Sequence, residues 1–535
     1  MLPGLFTFTG EPWFPREPSP SRSDFRQAKP AFITVFFKTW WCICCTLFLV
    51  SLILYNTFTK KEEEFLPLQK GKVTMYTCGP TVYGRPHIGN YSSFLLADLL
   101  RRWLETGHNY AVTHVKNITD VGHLLRDRDH GEDKVERQAK EEKGTKSVTS
   151  DDVLGIARKY EKQYREDEKK LNFIEPEHRP RATETIQEMI AMIELLFERD
   201  HAYETDDGVY FSVESFPAYG KLSGNTVEEL QAGARIEVKE YKKHPADFAL
   251  WKKCVGENAD HILRWESPWG VGFPGWHIEC SCMSKKFLGE QFDIHTGGED
   301  LIFPHHECEI AQSECSGKSP SVRCWVHRRF IDIGGEKMSK SIGNVHSLSD
   351  IETMGYHPMD LRYYLLSVHY RTNLKFSEKG LNDAHVARRR VQEWIDNRGL
   401  SQYAGRVSEG ESVPMMNSAE IDTSWKEFID SMNDDLNTPA ALSAVFKCMN
   451  YINANWGISS EAAVKVEKFS EMVSKTFGCF EQDAALPDNL QKLIDQREEA
   501  RRQKNFTESD SLRVRIEEQG YEVRDTQNGQ VIRRQ

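Results

Sequence analysis

Readable hydrophobic periods begin near Leu52. Val73-Thr-Met-Tyr-Thr reads as a strand closed by a turn signal, Cys78-Gly79-Pro80. From Ser92 to Trp103 the apolar positions Phe94, Leu95, Ala97, Leu99, Leu100 and Trp103 recur at helical spacing. Tyr110 to Val115 reads as a second strand. A strand, a long crossover and another strand predict a parallel α/β sheet. Asp127 to Lys170 is dense in charge with helical character, and Glu184 to Glu198 carries a clear apolar stripe. Gly208 to Val213 reads as a hairpin strand, so roughly 171–245 is expected to be an insertion within the α/β domain. The α/β pattern resumes from Asp247 to Ile333. Beyond Leu381 strands nearly vanish, and helical stripes run to about Phe480. Residues 485–535 form a small tail, with a helix and a short strand pair near Gly520 to Ile532.

The first 51 residues carry no readable period. Thr39 to Phe58 is twenty residues without a charge, long enough to span a membrane. It lies too far from Met1 for an ordinary signal peptide, and no small-residue cleavage site follows. Leu52 to Tyr55 also fits the first strand of the next domain, which leaves only about a dozen apolar residues, too few for a bilayer. Residues 1–51 are therefore expected to be an unassigned extension or a start-site artefact, with a hydrophobic anchor over 39–58 as the alternative.

Length and charge narrow the classes. A chain of 535 residues suggests about three or four domains. A formal net charge of −12 argues against non-specific nucleic-acid binding but leaves room for a local basic face. Twelve cysteines without regular spacing do not fit a disulfide-stapled secreted domain. Reduced thiols, some of them metal ligands, fit better.

Three segments carry candidate chemistry. The first is Gly79-Pro-Thr-Val-Tyr-Gly-Arg-Pro-His87-Ile88-Gly89-Asn90, which joins a strand to a helix. A helix N-terminus offers free amides to phosphate. Gly89 permits close backbone approach, and His87 and Asn90 can donate to charge building on a reacting phosphate. The second is Gly334-Gly-Glu-Lys337-Met-Ser-Lys340-Ser-Ile-Gly343-Asn344. Glycines flank two lysines among small hydroxyl residues, a loop suited to placing ammonium charges on a polyphosphate. The third brings Cys78 together with Cys280, His305 and Glu309 as candidate metal ligands. Residues 305 and 309 are i and i+4 on one helix face, and mixed S, N and O ligation suits Zn²⁺. By spacing alone His306, Glu307, Cys308 and Cys282 compete for the same role.

The first two segments resemble the His-Ile-Gly-His and Lys-Met-Ser-Lys-Ser signatures of class I aminoacyl-tRNA synthetases, in the family's order. The last position of the first signature departs, being Asn90 rather than His. Cys-Gly-Pro-Thr-Val-Tyr, Pro-Gly-Trp-His-Ile-Glu-Cys and Phe-Pro-His-His-Glu-x-Glu resemble the cysteinyl-tRNA synthetase family specifically. The resemblance covers about Leu52 to Arg534. It implies a Rossmann-like parallel-sheet catalytic domain over 52–335, a lysine-loop and stem-contact region over 336–380, a helical tRNA-binding domain over 381–480, and a C-terminal anticodon-binding module over 485–535.

The resemblance also implies roles. Cys78, Cys280, His305 and Glu309 hold one zinc that binds the substrate thiolate. Gly79, Thr81, Thr119, Trp276 and His295 line the amino-acid pocket. His87, Gly89 and Asn90, with Gly297, Gly298 and Asp300, bind ATP, and Lys337 and Lys340 act on its pyrophosphate. The implied reaction activates L-cysteine with ATP and Mg²⁺, then loads tRNA(Cys), in a cytoplasmic monomer. Arg371, Asn373 to Ser377 and Asp434 to Leu442 resemble the anticodon-stem domain. Arg388-Arg389-Arg390 is a candidate phosphate contact, with a solvated helix face as the other reading.

A metal answers a discrimination problem. A pocket that reads shape alone yields roughly 1–3 kcal/mol per methylene-sized difference. Rejecting serine by four decades needs about 5.6 kcal/mol. A soft thiolate on zinc can supply this where a hydroxyl cannot, so no editing domain is expected. Four protein ligands ordinarily close a site, so the substrate must expand the coordination or loosen a ligand such as Glu309. Two rivals remain: transfer of activated cysteine to an amino-sugar, which the C-terminal tail disfavours, and a non-catalytic zinc-bearing RNA-binding protein, which the lysine loop disfavours.

Overall fold

The computed structural model describes residues 51–125, 131–225, 242–333, 336–337, 345–396, 418–454, 460–480, 488–526 and 529–534. A short antiparallel pair, β1 (Ile53–Asn56) and β2 (Lys61–Glu64), precedes β3 (Lys72–Thr77). The strand expected around Leu52 to Tyr55 is therefore present; Thr39 to Val50 lie outside the described residues. Among the described residues no helix is long and apolar enough to cross a membrane.

From β3 the chain enters α1 (Ile88–Thr106) and returns through β4 (Ala111–Lys116), which pairs with β3 in parallel as expected. Ile88, Tyr91, Leu95, Leu99 and Trp103 bury one face of α1. The helix stops at Gly107, where a Cβ would lie 2.7 Å from the Trp103 ring. The charge-dense stretch becomes α2 (Lys134–Lys143) and α3 (Ser150–Lys170), and the next apolar stripe becomes α4 (Ile186–Glu198).

An antiparallel sheet follows, β5 (Ala202–Glu204), β6 (Gly208–Phe211), β7 (Phe248–Lys253) and β8 (Gly272–Pro274), paired in that order. This corrects the expected insertion of 171–245, because the inserted sheet runs on to Pro274. The run Phe248-Ala-Leu-Trp251 is buried throughout, so it lacks the alternation that marks an antiparallel strand and reads like a parallel one.

The chain then rejoins the central sheet through α5 (Trp276–Leu288), β9 (Phe292–Gly298), α6 (Glu307–Ser316) and β10 (Val322–Arg328). The central sheet has the order β10-β9-β3-β4 and is parallel throughout. Next, β11 (Ile331–Ile333) pairs with β12 (Glu336–Lys337) and, in parallel, with β13 (Leu374–Phe376), which follows α7 (Leu348–Thr353) and α8 (Pro358–Leu366).

Helices α9 (Glu378–Asp396), α10 (Ser418–Asn433), α11 (Thr438–Ala454) and α12 (Ser460–Phe477) form the helical part. Two buried hubs fasten it to the sheet. Arg362 of α8 pairs with Asp98 of α1 and donates to Phe477 O at 2.7 Å and Leu171 O at 2.8 Å. Asp435 accepts from Tyr55 N at 2.8 Å and pairs with Arg371 at 2.6 Å. The two stem-like segments found in sequence thus meet. Arg388 is buried against Asp360 at 2.6 Å, so within the arginine triplet only Arg389 and Arg390 reach the surface. The tail folds as α13 (Asp488–Arg502), α14 (Phe506–Glu517) and the antiparallel pair β14 (Tyr521–Thr526) and β15 (Gly529–Arg534), around Leu490, Leu512, Ile516 and Val523.

Candidate active site and metal centre

Parallel strands end together, so their C-terminal edge gathers segments distant in sequence. Here β3 delivers Cys78 and Gly79, β4 delivers Asn117 to Thr119, β9 delivers Gly297 and Gly298, and β10 delivers His327. Helix α5 brings Trp276 and Cys280 across this edge. The wide turn Ile302–His306, running into α6, brings His305 and Glu309.

Cys78 Sγ lies 3.6 Å from Cys280 Sγ and 3.3 Å from Glu309 Oε1. His305 Nε2 lies 3.1 Å from the same carboxylate oxygen. All four side chains are buried, and their donor atoms fall within 4.8 Å of one another. A tetrahedral ion with bonds of about 2.0–2.3 Å spaces its donors about 3.3–3.8 Å apart. The separations of 3.1–3.6 Å lie near that spacing, so the residues could hold a divalent metal.

An overlapping set, Cys78, His295, His306 and Glu309, also converges. Its separations run from 2.9 Å for His295–Glu309 to 4.0 Å for Cys78–His295; His306 presents Nε2 to the cluster, 3.4 Å from Cys78 Sγ, while its Nδ1 meets His327 Nε2 at 2.8 Å. Two other competitors turn away. Glu307 accepts from the backbone of Ser223 at 2.8 Å, and Cys308 Sγ meets Tyr219 Oη at 3.5 Å.

The electrostatics suit a cation. Burial opposes the charge on Glu309, yet His295 and His305 hold its carboxyl well below the usual range. Burial also works against protonated His305, but Glu309 and Cys280 raise it to about 10. Burial and the neighbouring Cys280 and Glu309 push the Cys78 thiol up. For Cys280 burial acts in the same sense, but the bond from Cys78 and the nearness of His305 outweigh it and bring the thiol down to about 6. A carboxylate, an imidazole and two sulfurs form a borderline-soft donor set of the kind zinc takes.

The expected pocket residues surround this cluster. Gly79 N donates to Asn117 Oδ1 at 2.7 Å, and a Cβ at Gly79 would lie 1.7 Å from Asn117 O. No side chain fits there. Thr81 Oγ1 meets His123 Nδ1 at 2.6 Å. Thr119 Oγ1 donates to buried Glu279 Oε2 at 2.8 Å. Trp276 stacks on His123, with ring centroids 3.9 Å apart, and on His305 at 4.2 Å. His295 stacks on Trp325 at 4.4 Å and bonds Glu309.

On the phosphate side, His87 caps α1, and its N–H donates to Asn90 Oδ1 at 3.0 Å. The substituted residue of the first signature thus braces its own turn, and its amide NH₂ remains a donor. Gly89 sits in the first turn between them. A Cβ at Gly297 would lie 2.6 Å from His306 Cε1. One at Gly298 would lie 2.5 Å from Asp300 Oδ1 and 3.1 Å from Ser93 Oγ of α1, so this loop closes against the phosphate turn. The backbone of Lys337 pairs with Asp332; the Lys337 side chain and Lys340 lie outside the described residues. Just past that loop, Ile88 N donates to His346 O at 2.9 Å, and His87 bridges Ser347. The phosphate turn and the chain following the second signature therefore touch.

Sequence reasoning did not single out His123, Asn117, Glu279, His277 or His327. His277 Nδ1 lies 2.9 Å from His305 Nδ1 and orients that ring, as outer partners of metal ligands do. Its place beside Trp276 was the one available hint; the others acquire meaning only through strand order.

A parallel sheet with a phosphate turn after its first strand, touched by the chain that follows the second signature, defines a class I aminoacyl-tRNA synthetase catalytic domain. The family profile "tRNA synthetases class I (C) catalytic domain" matches residues 64–386, "DALR domain" 427–481, and "Cysteinyl-tRNA ligase anticodon binding domain" 483–533. A cysteine–tRNA ligase of Thermus thermophilus is 42% identical over 497 residues, covering 90% of this chain and 98% of that protein. The cysteine–tRNA ligase of Chlorobium chlorochromatii is 39% identical over 498 residues, covering 90% and 99%. The chain belongs to the cysteine–tRNA ligase family.

Solved structures agree in fold alone. Mycobacterium tuberculosis methionyl-tRNA synthetase with methionyl-adenylate superposes with a TM-score of 0.50 at 13% identity, covering 76% of this chain and 90% of that one. The Agrobacterium radiobacter LeuRS–tRNA–LeuAMS complex gives 0.53 at 10% identity, covering 83% and 87%.

Proposed function

We propose that this chain activates L-cysteine with ATP and transfers it to tRNA(Cys), with zinc as the metal of the Cys78, Cys280, His305 and Glu309 cluster. The observation that carries the reading is the convergence of two sulfurs, an imidazole and a carboxylate beside the phosphate turn. When bound, zinc supplies a soft Lewis acid that favours a thiolate over a hydroxyl.

The chain's own residues do the rest. Gly79, Thr81, Thr119, Trp276 and His295 enclose the amino acid and exclude water. The cysteine carboxylate attacks the α-phosphate of ATP, whose charge is shared with Mg²⁺. His87, Asn90 and the first-turn amides of α1 stabilise the charge that develops on the α-phosphate. Gly297, Gly298 and Asp300 hold the adenosine. Lys337 and Lys340 neutralise departing pyrophosphate. The terminal ribose hydroxyl of tRNA then attacks the cysteinyl carbonyl of the adenylate, forming the ester and releasing AMP. The helical domain and the C-terminal module receive the tRNA, which favours tRNA over an amino-sugar acceptor. The proposed state is a cytoplasmic monomer, checked by fractionation and light scattering.

The test is ATP–pyrophosphate exchange with cysteine against serine, with zinc measured on the same sample and tRNA charging alongside. The expected result is cysteine-dependent exchange at one zinc per chain. Exchange that proceeds equally with serine, or at full rate without metal, overturns the reading.

A further inference from the structure

The amino-acid pocket holds two threonines whose hydroxyls differ in what they can still do. A threonine hydroxyl has one hydrogen to donate. Thr119 gives its hydrogen to Glu279 Oε2 at 2.8 Å and accepts from Asn117 Nδ2 at 3.2 Å, so it is committed on both sides. Thr81 Oγ1 meets His123 Nδ1 at 2.6 Å. Which of the two donates is settled at the far side of the ring, where Lys134 Nζ lies 2.5 Å from His123 Nε2. An ammonium only donates, so Nε2 accepts and the ring hydrogen sits on Nδ1. His123 therefore donates to Thr81 Oγ1, and the hydroxyl hydrogen of Thr81 is left to point elsewhere.

The backbone sets this register. Lys134 N donates to His123 O at 3.1 Å, and Leu125 N to Glu132 O at 3.0 Å, so the two segments pair as a short ladder. Asp133 caps α2 through the amides of Val135 and Glu136. The His123 ring is 7% exposed and lies flat on Trp276 at 3.9 Å and 8°. Thr81 itself bridges Thr119 at the end of β4, on the pocket floor.

Resting on the cysteine-activating reading above, we propose that Lys134 and His123 are positioning residues that lock the Thr81 hydroxyl as a hydrogen-bond donor to the carboxylate of the bound amino acid. The carboxylate is the acceptor because the ammonium has no lone pair and the sulfur belongs to the cluster of Cys78 and Cys280. The attacking oxygens are thus oriented by a relay that begins at a lysine two side chains away.

The test uses the full-length chain and four readouts: the KM for cysteine, the KM for ATP, zinc content, and inhibition by cysteamine, which lacks the carboxylate. Lys134→Met is expected to raise the cysteine KM about tenfold, with ATP KM, zinc and cysteamine inhibition unchanged. Lys134→Arg, which keeps a cationic donor, restores most of it. In a Thr81→Val background Lys134→Met has no further effect on cysteine, because its route of action is gone. Should Lys134→Met not fold, His123→Phe replaces it in the same cycle, keeping the stack on Trp276 and removing the bond to Thr81. Additive losses in the Thr81→Val background, or an equal loss of cysteamine binding, overturn the relay. A wild-type chain that activates no cysteine overturns the functional reading instead.

Discussion

Cys78, Cys280, His305 and Glu309 are at most 6% exposed, whereas His87, Gly89 and Asn90, only about ten residues beyond Cys78, are half-buried. The first group is built from side chains whose donor atoms come from separate stretches of chain. The second is built from one turn and the first amides of a helix. A metal cluster must exclude water and fix distances to a few tenths of an ångström, so it is held by packing from every side. A phosphate site must admit and release a large, hydrated, charged molecule, so it relies on backbone and a few braced donors. On the proposed reading, selection of the amino acid and handling of ATP make opposite demands on the same sheet edge.

The sharpest way to break this contrast is Cys280→Ser. Loss of a cluster ligand should remove zinc and cut cysteine-dependent exchange by about a thousandfold or more; metal analysis and exchange on one sample check it. Next is the brace behind the phosphate side, the buried Asp98–Arg362 pair. Arg362→Leu should destabilise the fold by about 3 kcal/mol, because the buried Asp98 carboxylate keeps only Arg102 of its two arginine partners and the carbonyls of Phe477 and Leu171 lose their donor, and denaturant unfolding measures it. Burial opposes the charge of Asp98, but Arg362 and Arg102 hold its carboxyl well below the ordinary range. Its contribution is present above about pH 4 and fades as acid protonates it, so the gap between wild type and variant should narrow in acid. Asn90→Ala should slow exchange about a hundredfold while zinc content and cysteine KM hold, which separates the two regions directly. The mildest is Thr119→Val: its hydroxyl is committed to Glu279 and Asn117, so the loss reaches cysteine only through the pocket wall and should raise cysteine KM about threefold with little change for ATP. An equal change for both substrates would show that the regions are coupled after all.

Much of this was legible beforehand. The strand, turn and helix from Val73 to Trp103 announce themselves because their periods are clean and their glycines sit at the turns. The metal ligands were legible as a crowd; spacing alone could not choose among Cys282, His306, Glu307 and Cys308. In the structure Glu307 turns to the backbone of Ser223 and Cys308 to Tyr219, while His306 stays within the second convergent set. The inserted sheet hid because Phe248 to Trp251 is buried on both faces. His123 and Lys134 hid because a lone histidine and lysine mean nothing until backbone pairing sets them side by side.

The backbone bond from Ile88 to His346 carries a mechanical corollary. The chain is tied down on both sides of the lysine signature, to β11 through β12 before it and to the first peptide of α1 after it. A residue inserted at either tie, beside Lys337 or beside His346, is expected to displace the first turn of α1 and to raise the KM for ATP.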